Sequence, residues 1–88
     1  MSPPLVIKFW KAVEMKLQET RKKEGLSQSE LAKMANVPVR TIQEYEQGRK
    51  GIDGASLNRL CDLAESLHVK IYDILEDKEL VEKVKRNV

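Results

Sequence analysis

The sequence predicts an all-α fold, one small bundle of helices, and three observations carry that expectation. The 88 residues include only 4 Gly and 3 Pro among abundant Leu, Lys and Glu, a composition that favours helix over turn-rich β structure. Apolar residues recur at helical spacing, as at Leu57, Leu60, Ala64 and Leu67, where steps of three and four place them on one face. Start and stop signals then divide the chain at short intervals, with Gly25, Asn36 and Gly48 closing successive periodic stretches. A chain of this length has room for a single core and buries only about 60 to 65% of the surface its unfolded form exposes. That favours a binding module over an enzyme with a deep cleft.

Helix one is expected to be long, from a start at Ser2-Pro3-Pro4 to about Glu24, because Trp10, Val13 and Leu17 recur at helical spacing before Gly25. Helix two is expected over Ser27 to Ala35. Ser27 and Glu30 form a capping box, in which the hydroxyl and the carboxylate each accept a hydrogen bond from the other residue's backbone N–H. Asn36 tolerates left-handed geometry and closes that helix, and Pro38 sets the first position of helix three, which ends at Gln47 before Gly48. Asp53 is expected to cap helix four, roughly Gly54 to Ser66. Ile71, Ile74 and Leu75 predict a short fifth helix. Leu80, Val81 and Val84, set among alternating charges, predict a short amphipathic sixth helix or a frayed tail. The expected organisation is an extension of helix one over 1–12, the domain proper over 13–76 and an amphipathic tail over 77–88.

The short connection between helices two and three is the informative feature. About three residues from Ala35 to Pro38 force a sharp bend between helices, with Ala32 small enough for close approach and Asn36 able to turn the chain. Leu31, Val37 and Ile42 then face inward. Val39, Arg40, Gln43 and Glu44 stay outside, where a helix-turn-helix presents its second helix to the major groove. The charge is placed to match: Lys16 to Gly51 sums to +3 and Ile52 to Val88 to −2, leaving the basic excess on the part that carries the motif.

Gly25-Leu26-Ser27-Gln28-Ser29-Glu30-Leu31-Ala32, Arg40-Thr41-Ile42, Tyr45-Glu46-Gln47-Gly48 and the Leu-rich fourth helix resemble the phage repressor and Cro-like helix-turn-helix regulators, the Xre family. The resemblance spans about Val13 to Leu75. It implies a compact five-helix bundle of the phage-repressor type, a homodimer on a palindromic DNA operator, and transcriptional control, most often repression. By the same resemblance Gln28, Arg49 and Lys50 hold phosphates, and Val39, Arg40 and Glu44 read bases. Thr41 and Gln43 touch base or backbone, and Arg21 pairs with Glu46 to tie helix one to the end of helix three. The chemistry suits those roles: an Arg makes paired hydrogen bonds to guanine, a Glu accepts from cytosine N4, and a Val packs on a thymine methyl. Two positions depart from the family pattern. Pro38 stands where a Ser or Thr cap is usual, and His68 where Gly commonly follows helix four.

Other chemistries find little support. No nucleophile lies beside a base, no Gly-rich phosphate loop is present, and Cys61 with His68 falls short of a metal ligand set, so no catalytic residue, metal or cofactor is expected. A lone Cys suits a reducing compartment, and Leu5-Val6-Ile7 is far too short for a membrane span. The expected location is the cytoplasm. Surplus apolar residues at both ends, Val6, Phe9, Trp10 and Val13 with Leu80, Val81 and Val84, suggest a two-fold contact between copies or mutual packing within one chain. Two alternatives to a DNA-binding regulator stand beside it: an antitoxin-type regulator that also holds a protein partner, and a helical interaction module without DNA binding.

Overall fold

The computed structural model describes residues 14–88. They form five α-helices, α1 Lys16–Lys23, α2 Gln28–Ala35, α3 Val39–Glu46, α4 Leu57–Leu67 and α5 Lys78–Arg86, with single 3-10 turns at Ile52–Gly54 and Ile71–Asp73. The described residues contain no strand. α2 lies against both α3 and α4, and α3 also meets α1. The turn at Ile71–Asp73 touches α1, α4 and α5, so the C-terminal part closes the bundle. Leu17, Leu31, Ile42, Leu63, Leu67, Ile74 and Leu75 are fully buried at its centre, each removing enough apolar surface to contribute about 1.5–3 kcal/mol.

The first four helices end alike. A residue one or two places past each end, Gly25, Asn36, Gly48 or His68, adopts positive φ. The N–H of the next residue then bonds back five residues: Leu26 to Arg21, Val37 to Ala32, Arg49 to Glu44 and Val69 to Ala64, at 2.9–3.1 Å. This closure satisfies carbonyls that would otherwise lack partners and needs a residue tolerant of left-handed backbone. His68 occupies that conformation at φ 59°, which costs a Cβ-bearing residue more than glycine. His68→Gly is therefore expected to raise stability by about 0.5–1 kcal/mol, read as a higher urea midpoint. An unchanged or lower midpoint would mean that the His68 contact with Glu24, at 3.3 Å, outweighs the strain.

Several elements differ from expectation, for reasons that lie in tertiary contacts. Helix α1 begins at Lys16, after an extended Met15, so no helix runs unbroken from Pro4 to Glu24. Its first free N–H, on Lys16, donates to Glu76 Oε2 at 2.6 Å. Asp53 does not cap α4. Its two carboxylate oxygens accept the N–H groups of Glu76 and Asp77 at 2.8 and 3.0 Å, and the cap is Ser56, whose hydroxyl accepts from Arg59 N–H at 3.1 Å. α4 accordingly starts at Leu57 rather than Gly54. Pro38 is the residue before α3 rather than its first member, with extended ψ of 138° and no side-chain cap. The short fifth helix is the single turn Ile71–Asp73.

The tail forms a helix, α5. Val81 joins the core, and Leu80 and Val84 pack against it. Part of the C-terminal stripe is thus used within its own chain, and Leu80 and Val84, expected as dimer contacts, are left half-buried. Val6, Phe9 and Trp10 lie outside the described residues.

Candidate nucleic-acid interface

Helix α3 divides its residues by period. Ile42 and Tyr45 face the core, and Thr41 and Glu46 on the same side are also buried. Val39 is 39% exposed, the Arg40 side chain is 87% exposed, and Gln43 and Glu44 are intermediate. Thr41, expected at a base or the DNA backbone, is 8% exposed, because its place beside Ile42 and one turn from Tyr45 rotates it inward. The outer face is therefore Val39, Arg40, Gln43 and Glu44, and Arg49 and Lys50 continue it as exposed residues.

A buried polar cluster holds α3 in place. Arg21 donates from Nε to Glu46 Oε2 at 2.7 Å and from Nη2 to Glu46 Oε1 at 3.0 Å, and its Nη1 reaches the Leu26 carbonyl at 2.8 Å. The Arg21 and Glu46 side chains are only 10% and 2% exposed. The hydrogen-bonded carboxylate holds the guanidinium above its ordinary pKa against the opposing effect of burial, so Arg21 stays charged. Gln28 Nε2 donates to the same Glu46 Oε1 at 2.9 Å. That side chain, expected on a phosphate, thus has an internal partner that joins the start of α2 to the end of α3. One of its two amide N–H groups remains for another acceptor.

The start of α2 is closed by the Ser27–Glu30 box, with Glu30 N–H on the Ser27 hydroxyl at 3.0 Å and Ser27 N–H on the Glu30 carboxylate at 2.8 Å. The loop after α3 is set by its helix end, where Arg49 and Lys50 both donate backbone N–H to the Glu44 carbonyl, at 2.9 and 3.2 Å. Here the four helix ends differ. Leu26, Val37 and Val69 follow the other left-handed residues, and all three pack in or against the core. The matching place after α3 holds Arg49, which is exposed. A position that elsewhere serves packing carries a cation here, a signal legible only by comparing helix ends within the chain. Around it Lys50 Nζ lies 3.6 Å from Glu44 Oε1, and Arg40 Nε 3.8 Å from Glu44 Oε2.

Among the described residues no group of three or more His, Cys, Asp or Glu is placed to hold a metal ion, and no helix is long and apolar enough to cross a membrane. In sequence comparisons no curated protein and no solved structure matches the chain. The family model described as Helix-turn-helix matches residues 17–74, the stretch that runs from the start of α1 through the turn that closes the bundle. The chain belongs to the helix-turn-helix family of Xre and Cro type, and it is a DNA-binding transcription regulator.

Proposed function

We propose that the protein binds a specific duplex sequence as a homodimer on a palindromic operator and represses transcription there, in the cytoplasm. The single observation that supports this most is the outer face of α3, where Val39, Arg40, Gln43 and Glu44 are left out of the core while Ile42, Tyr45 and Glu46 anchor the helix from behind. In this scheme Arg40 pairs with guanine O6 and N7, Val39 packs on a thymine methyl, and Glu44 accepts from an exocyclic amine. Gln43 meets base or backbone. Arg49, Lys50 and the free N–H of Gln28 hold phosphates, the last aided by the amide-rich start of α2. Two copies then place their α3 helices about 34 Å apart, one turn of the duplex.

Readers and clamps give different signatures when removed. Arg49→Ala is expected to weaken binding to an operator selected from random duplexes and to mixed-sequence DNA alike, and to lower the salt slope by about one unit. Arg40→Ala is expected to lose roughly 1–3 kcal/mol on the operator and to relax discrimination at one base pair. Titrations at several salt concentrations separate the two, and a sequence-independent loss from Arg40→Ala would move that residue to the clamps. Sedimentation of the saturated complex reads the stoichiometry, and one protein per operator would remove the dimer from the scheme.

A further inference from the structure

One carboxylate sits within the proposed DNA-facing surface, and it is shared. Glu44 Oε1 lies 3.6 Å from Lys50 Nζ and Glu44 Oε2 lies 3.8 Å from Arg40 Nε. The backbone fixes the arrangement, because the Glu44 carbonyl accepts both the Arg49 and the Lys50 N–H. The Glu44 side chain is 29% exposed against 52% for Lys50 and 87% for Arg40, so the carboxylate is the better-seated member and the two cations are the ones open to another partner. An acid at the centre of a surface meant for a polyanion opposes binding unless something in the duplex compensates it.

We propose that Glu44 is a specificity-determining residue that acts by withholding charge: it holds Arg40 and Lys50 in the free protein and releases them without penalty only on a duplex that offers its carboxylate an exocyclic amine. The inference rests on the DNA-binding scheme above. Ion pairs at these separations on a surface are weak and screened by salt, so a phosphate takes Lys50 and a guanine edge takes Arg40 with little resistance. What remains is the carboxylate. In the major groove cytosine N4 and adenine N6 donate, whereas guanine O6 and thymine O4 are acceptors that repel it. On a matched site Glu44 exchanges two cations for a hydrogen bond. On a mismatched site it either keeps the cations, which costs phosphate and base contacts, or faces acceptors and phosphates unpaired. Glu44 therefore lowers affinity for DNA in general and lowers it least on the correct sequence, which is specificity by penalty.

Glu44→Gln tests this, since the amide keeps the shape and releases both cations. The probes are a duplex selected by the wild-type protein from a random pool and a mixed-sequence duplex of equal length. The variant is expected to bind the mixed-sequence duplex about tenfold more tightly at low salt, to gain much less on the selected duplex, and so to lose about tenfold in the ratio. Where the wild type selects cytosine, selection repeated with Glu44→Gln is expected to give a degenerate base, because the amide offers a donor as well as an acceptor to a base edge. In a Lys50→Ala background the gain on mixed-sequence DNA is expected to shrink, because one of the held cations is gone. An unchanged ratio, or equal weakening on both duplexes with an unchanged melting curve, would overturn the role of Glu44. The failure of the DNA-binding scheme itself looks different, because the wild-type protein would then show no salt-dependent binding to either duplex.

Discussion

Glu46→Ala is expected to cost about 3–5 kcal/mol of folding stability, a large share of the 5–15 kcal/mol typical of a small domain. The substitution leaves the Arg21 guanidinium charged in a site where its side chain is 10% exposed, with only the Leu26 carbonyl still accepting from it. It also removes the acceptor of Gln28 Nε2, so a buried guanidinium and a half-buried amide lose partners together. The pair itself adds much less than this loss suggests, since taking both charges out of water offsets most of their attraction. Arg21→Met combined with Glu46→Gln, which removes both charges and keeps an oxygen for Gln28, is therefore expected to destabilise less than Glu46→Ala alone. Denaturant titration of Arg21→Met, Glu46→Gln and their double yields the coupling energy. A coupling near zero would mean that the two residues meet without depending on each other.

Ile42→Ala is expected to cost about 2–5 kcal/mol through the cavity it leaves beneath α3. Ile42 is fully buried while Val39 and Arg40 on the same helix are exposed, so the substitution removes packing and no proposed DNA contact. The urea midpoint should fall without a change in slope, as for a loss of stability with the native surface retained. Saturating selected duplex is expected to restore part of the melting temperature, because a ligand that binds only the folded form draws the equilibrium back. A loss below about 1 kcal/mol, well under the range for a buried Ile, would contradict the packing of α3 described above.

The features legible in the sequence are those whose partners lie close along the chain. Ser27 and Glu30 are three residues apart and cap each other. Asn36 ends α2 in left-handed geometry, a conformation for which its side chain is suited. The inner and outer faces of α3 follow from period alone for Ile42 and Arg40. Period says less at the margins of a face, which is why Thr41, one step from the outer residues, turns inward. Other features depend on groups that folding brings from far away. Asp53 reads as a cap because it precedes a helix, yet the amides it serves belong to Glu76 and Asp77. Helix α1 starts where Glu76 accepts its first N–H, and no residue near Lys16 announces that. The Lys50 contact with Glu44 crosses the turn at Gly48, so helical spacing cannot reveal it. The pairing of Arg21 with Glu46, separated by 25 residues, is suggested by family resemblance and by nothing in the spacing itself.

The chain from Asp53 through Glu76 to Lys16 has a consequence for how the protein comes off the ribosome. Helix α1 has eight residues, too few to persist alone in water, and the acceptor for its first N–H lies 60 residues further on. At roughly 5–20 residues per second that acceptor is made on the order of 3–12 seconds later. α2 and α3 are equally short, at eight residues each, so until then the three helices have only local closures such as the Ser27–Glu30 box, and α1 has neither its cap nor the Ile71–Asp73 turn against which it rests. The nascent chain is thus expected to gain its DNA-facing helices and α1 together, when the strip of backbone at Glu76 and Asp77 emerges to join Asp53.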